Sequence, residues 1–387
     1  MNYLQSAQAL YEQMVRDRRH LHQHPEVGMD LPETCSYVMA RLTEMGYQPR
    51  RLGGGVTATV TGKPDGKVFL LRADMDALPM REESGLPFAS QRSCAHTCGH
   101  DMHTAMLLGA AQLLRDRAAE LNGTVKFMFQ PGEEVLSGAR SMIEAGILED
   151  PHVDAAMGAH MIPMIPEGLG GYGTGVVSAS SDHLVIRVEG RGGHGAHPQS
   201  TVDPINIGVH IHLALQELLS READPAELVV LTFGKFQGGD AANIIPSSAV
   251  LEGTLRTFSE PLRTHLLERI DTICTCTAEA FRGRAQVTDL CSTCSLQIDG
   301  DTAAAVAQGW QREGLKMLQQ GEKMSGSEDF AEIAARVPST FFVVGGGTAQ
   351  DGCGVSLHNP KIRFREEALI YGAAAYASGA AMWLELH

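Results

Sequence analysis

From Cys94 to Thr104 the chain reads Cys-Ala-His-Thr-Cys-Gly-His-Asp-Met-His-Thr, two thiols and three imidazoles within eleven positions. Thiolate sulfur and imidazole nitrogen are the ligands that borderline divalent cations such as zinc favour, and both bind deprotonated. A histidine-rich loop alone is a weak signal, but three further segments add weight. Gln130-Pro-Gly-Glu-Glu134, Gly158-Ala-His160 and Ser356-Leu-His-Asn-Pro360 each bring candidate ligands to the end of an apolar run. Taken singly, Cys98 reads as a buried structural thiol and His160 or His358 as core histidines. As an ensemble they point to metal-dependent hydrolysis. The adjacent pair Glu133 and Glu134 fits that chemistry, because neighbouring side chains diverge. One carboxylate is expected to ligate while the other faces a water and moves its proton.

The elements that must position these residues alternate. Residues 33–46 read as an amphipathic helix, Val68–Arg72 as a buried strand running into Asp74 and Asp76, and Thr104–Arg117 as a helix. Val125–Phe129, Val153–Met157 and Thr340–Val344 read as further strands. The expected fold class is therefore α/β, with a mostly parallel sheet flanked by helices. In such sheets ligands gather beyond the carboxyl ends of the strands, where Asp74, Glu133, Glu134 and His160 fall. The helix opening near Thr104 is expected to favour a thiolate at Cys98 through its N-terminal dipole.

Near Ser181 the pattern changes to polar–apolar alternation. Strands at Asp182–Glu189, Leu228–Phe233 and Ala249–Phe258, with helices at Pro204–Ser220 and Pro261–Phe281, suggest a split βαβ sandwich closing near Leu290. Because His358 lies far beyond the other candidate ligands, the simplest organisation is an insertion. A discontinuous catalytic domain over residues 1–180 and 294–387 is interrupted by an inserted α/β sandwich over 181–293.

With 387 residues and 43% hydrophobic content, the composition is that of an ordinary globular protein, and the length favours two domains. A formal charge of −15 argues against nucleic acid as a partner and requires a local cationic anchor for any anionic substrate. No apolar run approaches the roughly 20 residues of a membrane span. The N-terminus lacks the pattern of a secretory signal, so a cytoplasmic location with mostly free cysteines is expected. Cys291-Ser-Thr-Cys294 has CxxC spacing but no companion pair to complete a zinc site.

Read in order, Arg18-Arg-His-Leu-His-Gln-His-Pro-Glu26, RADMDALP, CAHTCGHDMHT, QPGEE, GAHM, GRGGHGAHP, NIIP, GTLRTF, SGSEDF and SLHNP run nearly end to end. This series resembles the metallo-aminoacylase family of dinuclear amidohydrolases, in the branch of hippurate and auxin-conjugate hydrolases. The resemblance implies two divalent metal ions per subunit (Zn, Mn, Co or Ni), held by Cys98, His100, Glu134, His160 and His358. It makes Glu133 the proton carrier and His194 a donor to the carbonyl oxygen, acting across a homodimer formed through the inserted domain, which the resemblance casts as a lid and dimerisation domain. A metal-binding histidine takes the place of Asp74 in related hydrolases, so Asp74 is not assigned as a ligand.

Some roles rest on residue chemistry. Asp76 and Asp101 are suited to accept the free N–H of a ligand histidine and fix its ring. His96 and His103 have ligand-like spacing, but the resemblance leaves them as supports. Arg256, at a strand end, offers a guanidinium fork for a substrate carboxylate, and Asn243 a polar contact to substrate. The expected activity is hydrolysis of the amide in N-acyl amino acids, whether hippurate-like, N-acetyl or aryl-acyl. A dipeptidase or carboxypeptidase acting on short peptides, and a non-catalytic protein that binds metal or acyl amino acids, are the alternatives.

Overall fold

The computed structural model describes residues 2–319, 321 and 323–387. The chain forms two compact units, one of Met1–Val177, Gln297–Glu322 and Asp329–His387, the other of Ser178–Leu296 and Lys323–Glu328.

The first unit is built on an eight-stranded sheet. Its strands run in the order Arg50–Leu52, Gly55–Thr61, Gly123–Gln130, Lys67–Asp74, Ala155–Ile162, Ser339–Gly345, Leu169–Tyr172 and Lys316–Gln319. The four central strands pair in parallel, while the Arg50–Leu52 and Gly55–Thr61 edge is antiparallel. Gly123–Gln130 is buried at every position, as a parallel strand covered on both faces must be. Even Lys126 is buried, with its amine donating to the carbonyls of Glu149 and Pro151 at 2.5 and 3.3 Å.

Helices His100–Asp116, Gly300–Glu313 and Ala368–Leu386 enclose one core with the sheet, around Phe69, Phe127, Trp310, Phe342 and Tyr376. Alanines and glycines in Ala368–Leu386 let neighbouring helices approach closely; a Cβ at Gly309 would meet the Ser378 carbonyl oxygen at 2.4 Å. Among the described residues no helix is long and apolar enough to cross a membrane.

The second unit is a four-stranded antiparallel sheet ordered Val229–Gly238, Ser248–Thr257, Ser181–Glu189 and Arg284–Thr293. Ser248–Thr257 alternates buried and half-exposed positions along its whole length, the signature of a sheet covered on one face. Helices Pro204–Glu217 and Glu260–Ala280 cover that face through Ile207, Ile211, Leu215, Leu266 and Ile270, packed on Leu184, Ile186 and Leu251. The strand and helix order is the split βαβ arrangement that the sequence pattern suggests.

Candidate metal centre

Side chains from four segments converge at the carboxyl ends of the central parallel strands. Cys98 and His100 flank Gly99, which caps the His100–Asp116 helix at φ 95°. That left-handed conformation suits glycine, and a Cβ there would lie 3.1 Å from the Phe364 ring and 3.4 Å from Met161 Cβ. The helix thus opens at His100, four residues earlier than the periodicity indicates. Cys98 stands directly before its N-terminus, where the dipole favours an anion.

Glu133 and Glu134 follow the strand ending at Gln130, in a tight turn closed by the Leu136 N–H donating to the Glu133 carbonyl at 2.8 Å. In this turn the two carboxylates do not diverge as strand neighbours would. Glu133 Oε2 lies 3.8 Å and Glu134 Oε1 3.9 Å from His100 Nε2. Their distinction is of partners: Glu134 shares a potential triad with Cys98 and His358, whereas Glu133 does not. His160 comes from the Ala155–Ile162 strand, and its Nε2 is 3.4 Å from Cys98 Sγ. The His358 segment is tied to the cysteine loop by its own N–H, which donates to the Thr97 carbonyl at 2.9 Å. His358 Nε2 is 3.5 Å from Glu134 Oε1.

Of the five potential ligand groups among the described residues, two contain Cys98: Cys98/His100/His160 within the protein and Cys98/Glu134/His358 nearer the surface, with ligand atoms in each within 4.8 Å of one another. Cys98 is common to both. His100 donates from Nδ1 to the Asp76 carbonyl at 2.9 Å, and His160 from Nδ1 to the Met161 carbonyl at 2.7 Å. Each ring therefore presents Nε2 to the centre. His100 Nε2 and Glu134 Oε1 are buried without a hydrogen-bond partner among the described residues, a costly state that a bound cation relieves. The donor set of sulfur, nitrogen and oxygen fits two divalent metals.

Burial pushes the Cys98 thiol well above its usual range, against the influence of His100. Burial also disfavours charge on His100, but Asp74 and Cys98 outweigh it and hold its pKa well above the usual value. His160 is pushed by burial down to about 3, so its lone pair is available throughout the neutral range. Glu134 is raised by burial, with His100 and His358 opposing.

The two expected supporting acids behave differently. Asp76 accepts the N–H groups of Glu133 and Glu134 at 3.0 and 3.2 Å, so its carboxylate holds the glutamate turn while its carbonyl orients His100. Asp101 does not support a ligand imidazole as expected. Its side chain turns away from the centre, and Oδ2 accepts from Arg18 Nε at 2.9 Å and His22 Nδ1 at 2.8 Å.

A family model described as peptidase family M20/M25/M40 matches residues 70–381. The chain belongs to peptidase family M20/M25/M40. N-acetylcysteine deacetylase of Bacillus subtilis (strain 168) is 35% identical over 381 residues, spanning 97% of this chain and 98% of that protein. The IAA-amino acid hydrolase ILR1-like 4 of Arabidopsis thaliana is 36% identical over 383 residues, spanning 97% and 86%. The crystal structure of the Bacillus subtilis YXEP protein, a dinuclear metal binding peptidase of the M20 family, matches with a TM-score of 0.82 at 33% identity. That match covers 98% of this chain and 99% of that one. This M20 chain is accordingly a metal-dependent hydrolase of linear amide bonds.

In the second unit, His194 and Asn243 lie on one small ribbon where Gly193–His194 pairs with Ile244–Ile245. The Gly195 N–H donates to the Asn243 carbonyl at 2.8 Å. His194 Nδ1 accepts the Ala196 N–H at 3.0 Å, which leaves an exposed Nε2–H to donate elsewhere. Arg256 donates from Nη1 to the Ser325 carbonyl and Ser327 hydroxyl at 3.3 and 3.4 Å. Among the described residues no carboxylate lies within ion-pair distance of its guanidinium.

Sequence reasoning missed Asp329. It accepts from Arg72 Nη2 at 2.8 Å, Gln130 Nε2 at 2.6 Å and the Ala139 N–H at 2.9 Å, fully buried beneath the glutamate turn. One signal was an arginine within an otherwise apolar strand, which requires a buried anion somewhere.

Proposed function

We propose that the M20 chain hydrolyses the amide bond of N-acyl amino acids, releasing a carboxylic acid and a free amino acid. The observation carrying this reading is the pair of triads sharing Cys98 beside the Glu133 carboxylate. Cys98, His100, Glu134, His160 and His358 hold two divalent metals, which when bound acidify a water and polarise the scissile carbonyl. Zinc suits the thiolate; manganese, cobalt and nickel suit the mixed imidazole and carboxylate set.

Glu133 takes the proton of the attacking water and delivers it to the leaving nitrogen. Asp76 holds Glu133 in place through its backbone. His194, fixed as the Nε2–H tautomer, donates to the oxygen of the tetrahedral intermediate, and Asn243 contributes a further polar contact. Arg256 takes the substrate's free carboxylate, the cationic anchor that a chain of formal charge −15 requires. The protein works as a homodimer through residues 181–293 in a reducing cytoplasm, consistent with eight cysteines that form no disulfide.

The relatives named for N-acetylcysteine and IAA-amino acid substrates support the acyl amino acid class. The test is kcat/KM across hippurate, N-acetyl amino acids, indole-acetyl amino acids and dipeptides, each with its carboxylate free or amidated. Preference for a free-carboxylate acyl amino acid supports the reading. Preference for dipeptides makes the chain a peptidase, and indifference to amidation removes Arg256 from its role.

A further inference from the structure

Behind the inner triad runs a chain of fully buried polar groups that the reaction itself does not use. Arg72 donates from Nε to Gln130 Oε1 at 2.9 Å and from Nη1 to Asp74 Oδ2 at 2.8 Å, besides its bond to Asp329. The second Asp74 oxygen, Oδ1, is 2.6 Å from His103 Nδ1. On its far side His103 Nε2 receives the Met161 N–H at 2.8 Å. The Met161 carbonyl in turn accepts the Nδ1–H of His160 at 2.7 Å. Both bonds thus meet at one residue, Met161.

Sheet geometry explains why that residue needs a partner. The Ala155–Ile162 strand pairs with Lys67–Asp74 only through Ala155–Gly158. The Ala156 N–H faces the opposite neighbour, donating to the Pro338 carbonyl. Met161, of opposite parity, therefore turns its N–H and C=O toward the side where pairing has ended. Without His103 that N–H would be a buried, unsatisfied donor. The His103 ring also packs against His160, with centroids 4.6 Å apart and planes at 67°.

We infer that Asp74 and His103 are positioning residues for His160, acting through the backbone of Met161, whose N–H and C=O sit in consecutive peptide units. An N–H donor at Nε2 requires His103 to be the neutral Nδ1–H tautomer, and Asp74, itself aimed by Arg72, selects that tautomer. The opposite tautomer would set two N–H groups against each other at Met161 and release the backbone that aims the His160 ring. The spacing that makes His103 a candidate ligand is spent on this support, since both of its nitrogens are engaged. The inference rests on reading the Cys98/His100/His160 triad as a metal site.

The test compares wild type with Asp74→Asn, His103→Ala and His103→Gln. Asparagine at 74 has one acceptor oxygen, so it forfeits either the Arg72 bond or the Nδ1–H tautomer of His103. Glutamine at 103 keeps an oxygen able to accept the Met161 N–H. Zinc affinity is measured by chelator competition in a His358→Ala background, which isolates the inner triad. The His103 tautomer is measured by long-range proton–nitrogen NMR on metal-free wild type. Asp74→Asn and His103→Ala should weaken inner-site zinc by about 10–100-fold, the range for residues that orient a ligand. His103→Gln should recover most of that loss.

Unchanged inner-site affinity in Asp74→Asn, no recovery in His103→Gln, or an Nε2–H tautomer in wild type would each overturn the inference. If His103→Ala does not fold, the other two variants still decide. If wild type takes up no metal, the metal reading falls, and the tautomer measurement separately decides whether the hydrogen-bond relay exists.

Discussion

His358→Ala offers the clearest view of how the two triads divide the work. His358 belongs only to the outer triad with Cys98 and Glu134, and its side chain is 51% exposed. Removing it therefore opens no core cavity. A structural zinc site with four ligands binds with about 10–16 kcal/mol, so one ligand accounts for ~2.5–4 kcal/mol, or roughly 10²–10³-fold in affinity. The variant should keep one tightly held metal and lose the second to dialysis, its dissociation constant raised by that factor. His160→Ala should do the converse, emptying the inner triad first. Elemental analysis after dialysis, followed by chelator titration, reads both. Retention of two equivalents at wild-type affinity, or simultaneous loss of both in either variant, would refute the division into triads.

Three further outcomes follow from the same geometry. Because Cys98 and His100 hold raised pKa values without metal, binding must displace their protons; metal affinity should rise with pH by up to about tenfold per unit for each proton released, and a flat titration between pH 6 and 8 would contradict it. Burial disfavours the His22 imidazolium, but Asp101 and Glu82 outweigh it and hold its pKa above 6.5. Its stabilising contribution is thus full below pH 6.5 and lost as pH rises through the folded value, so wild-type Tm should fall over that window relative to His22→Gln, by ~1–2 °C per kcal/mol for a chain of this length. Gly99→Ala forces a Cβ into a left-handed cap at a cost of ~1–2 kcal/mol, and should lower both Tm and metal affinity; a neutral result in calorimetry would mean the loop has another way to present Cys98 and His100.

Much of the candidate centre was legible because its candidate ligands are local in sequence or end an apolar strand. Cys98, His100, Glu134, His160 and His358 each carry their signal within a few residues, and the α/β alternation says where strand ends must gather. What stayed hidden depends on pairing across the chain. Nothing near Arg72 announces Asp329, 257 positions later, and nothing near Asp101 announces Arg18 and His22. Asp101 has the acceptor chemistry a ligand's support needs, yet successive helical residues point about 100° apart, and it faces Arg18 and His22 of the Tyr11–Gln23 helix instead. The early helix start came from Gly99, whose capping role depends on φ, which periodicity does not report. The approach of both Glu133 and Glu134 to the His100 ring runs against the expectation that neighbouring side chains diverge, whether on a strand or in a single turn. His103 shows the same limit in reverse. Its spacing permits ligation, and only the distances to Asp74 and Met161 reveal both nitrogens in use.

In the proposed two-metal amide hydrolysis Glu133 moves the proton while Glu134 binds metal. Glu133→Gln keeps the size and shape of the side chain and removes its basicity, so turnover of the best N-acyl amino acid should be measured alongside metal content in one preparation. The expected result is two metals retained and kcat reduced by ~10²–10⁴-fold, the range of a general base. A fully metallated Glu133→Gln protein with wild-type kcat would contradict it.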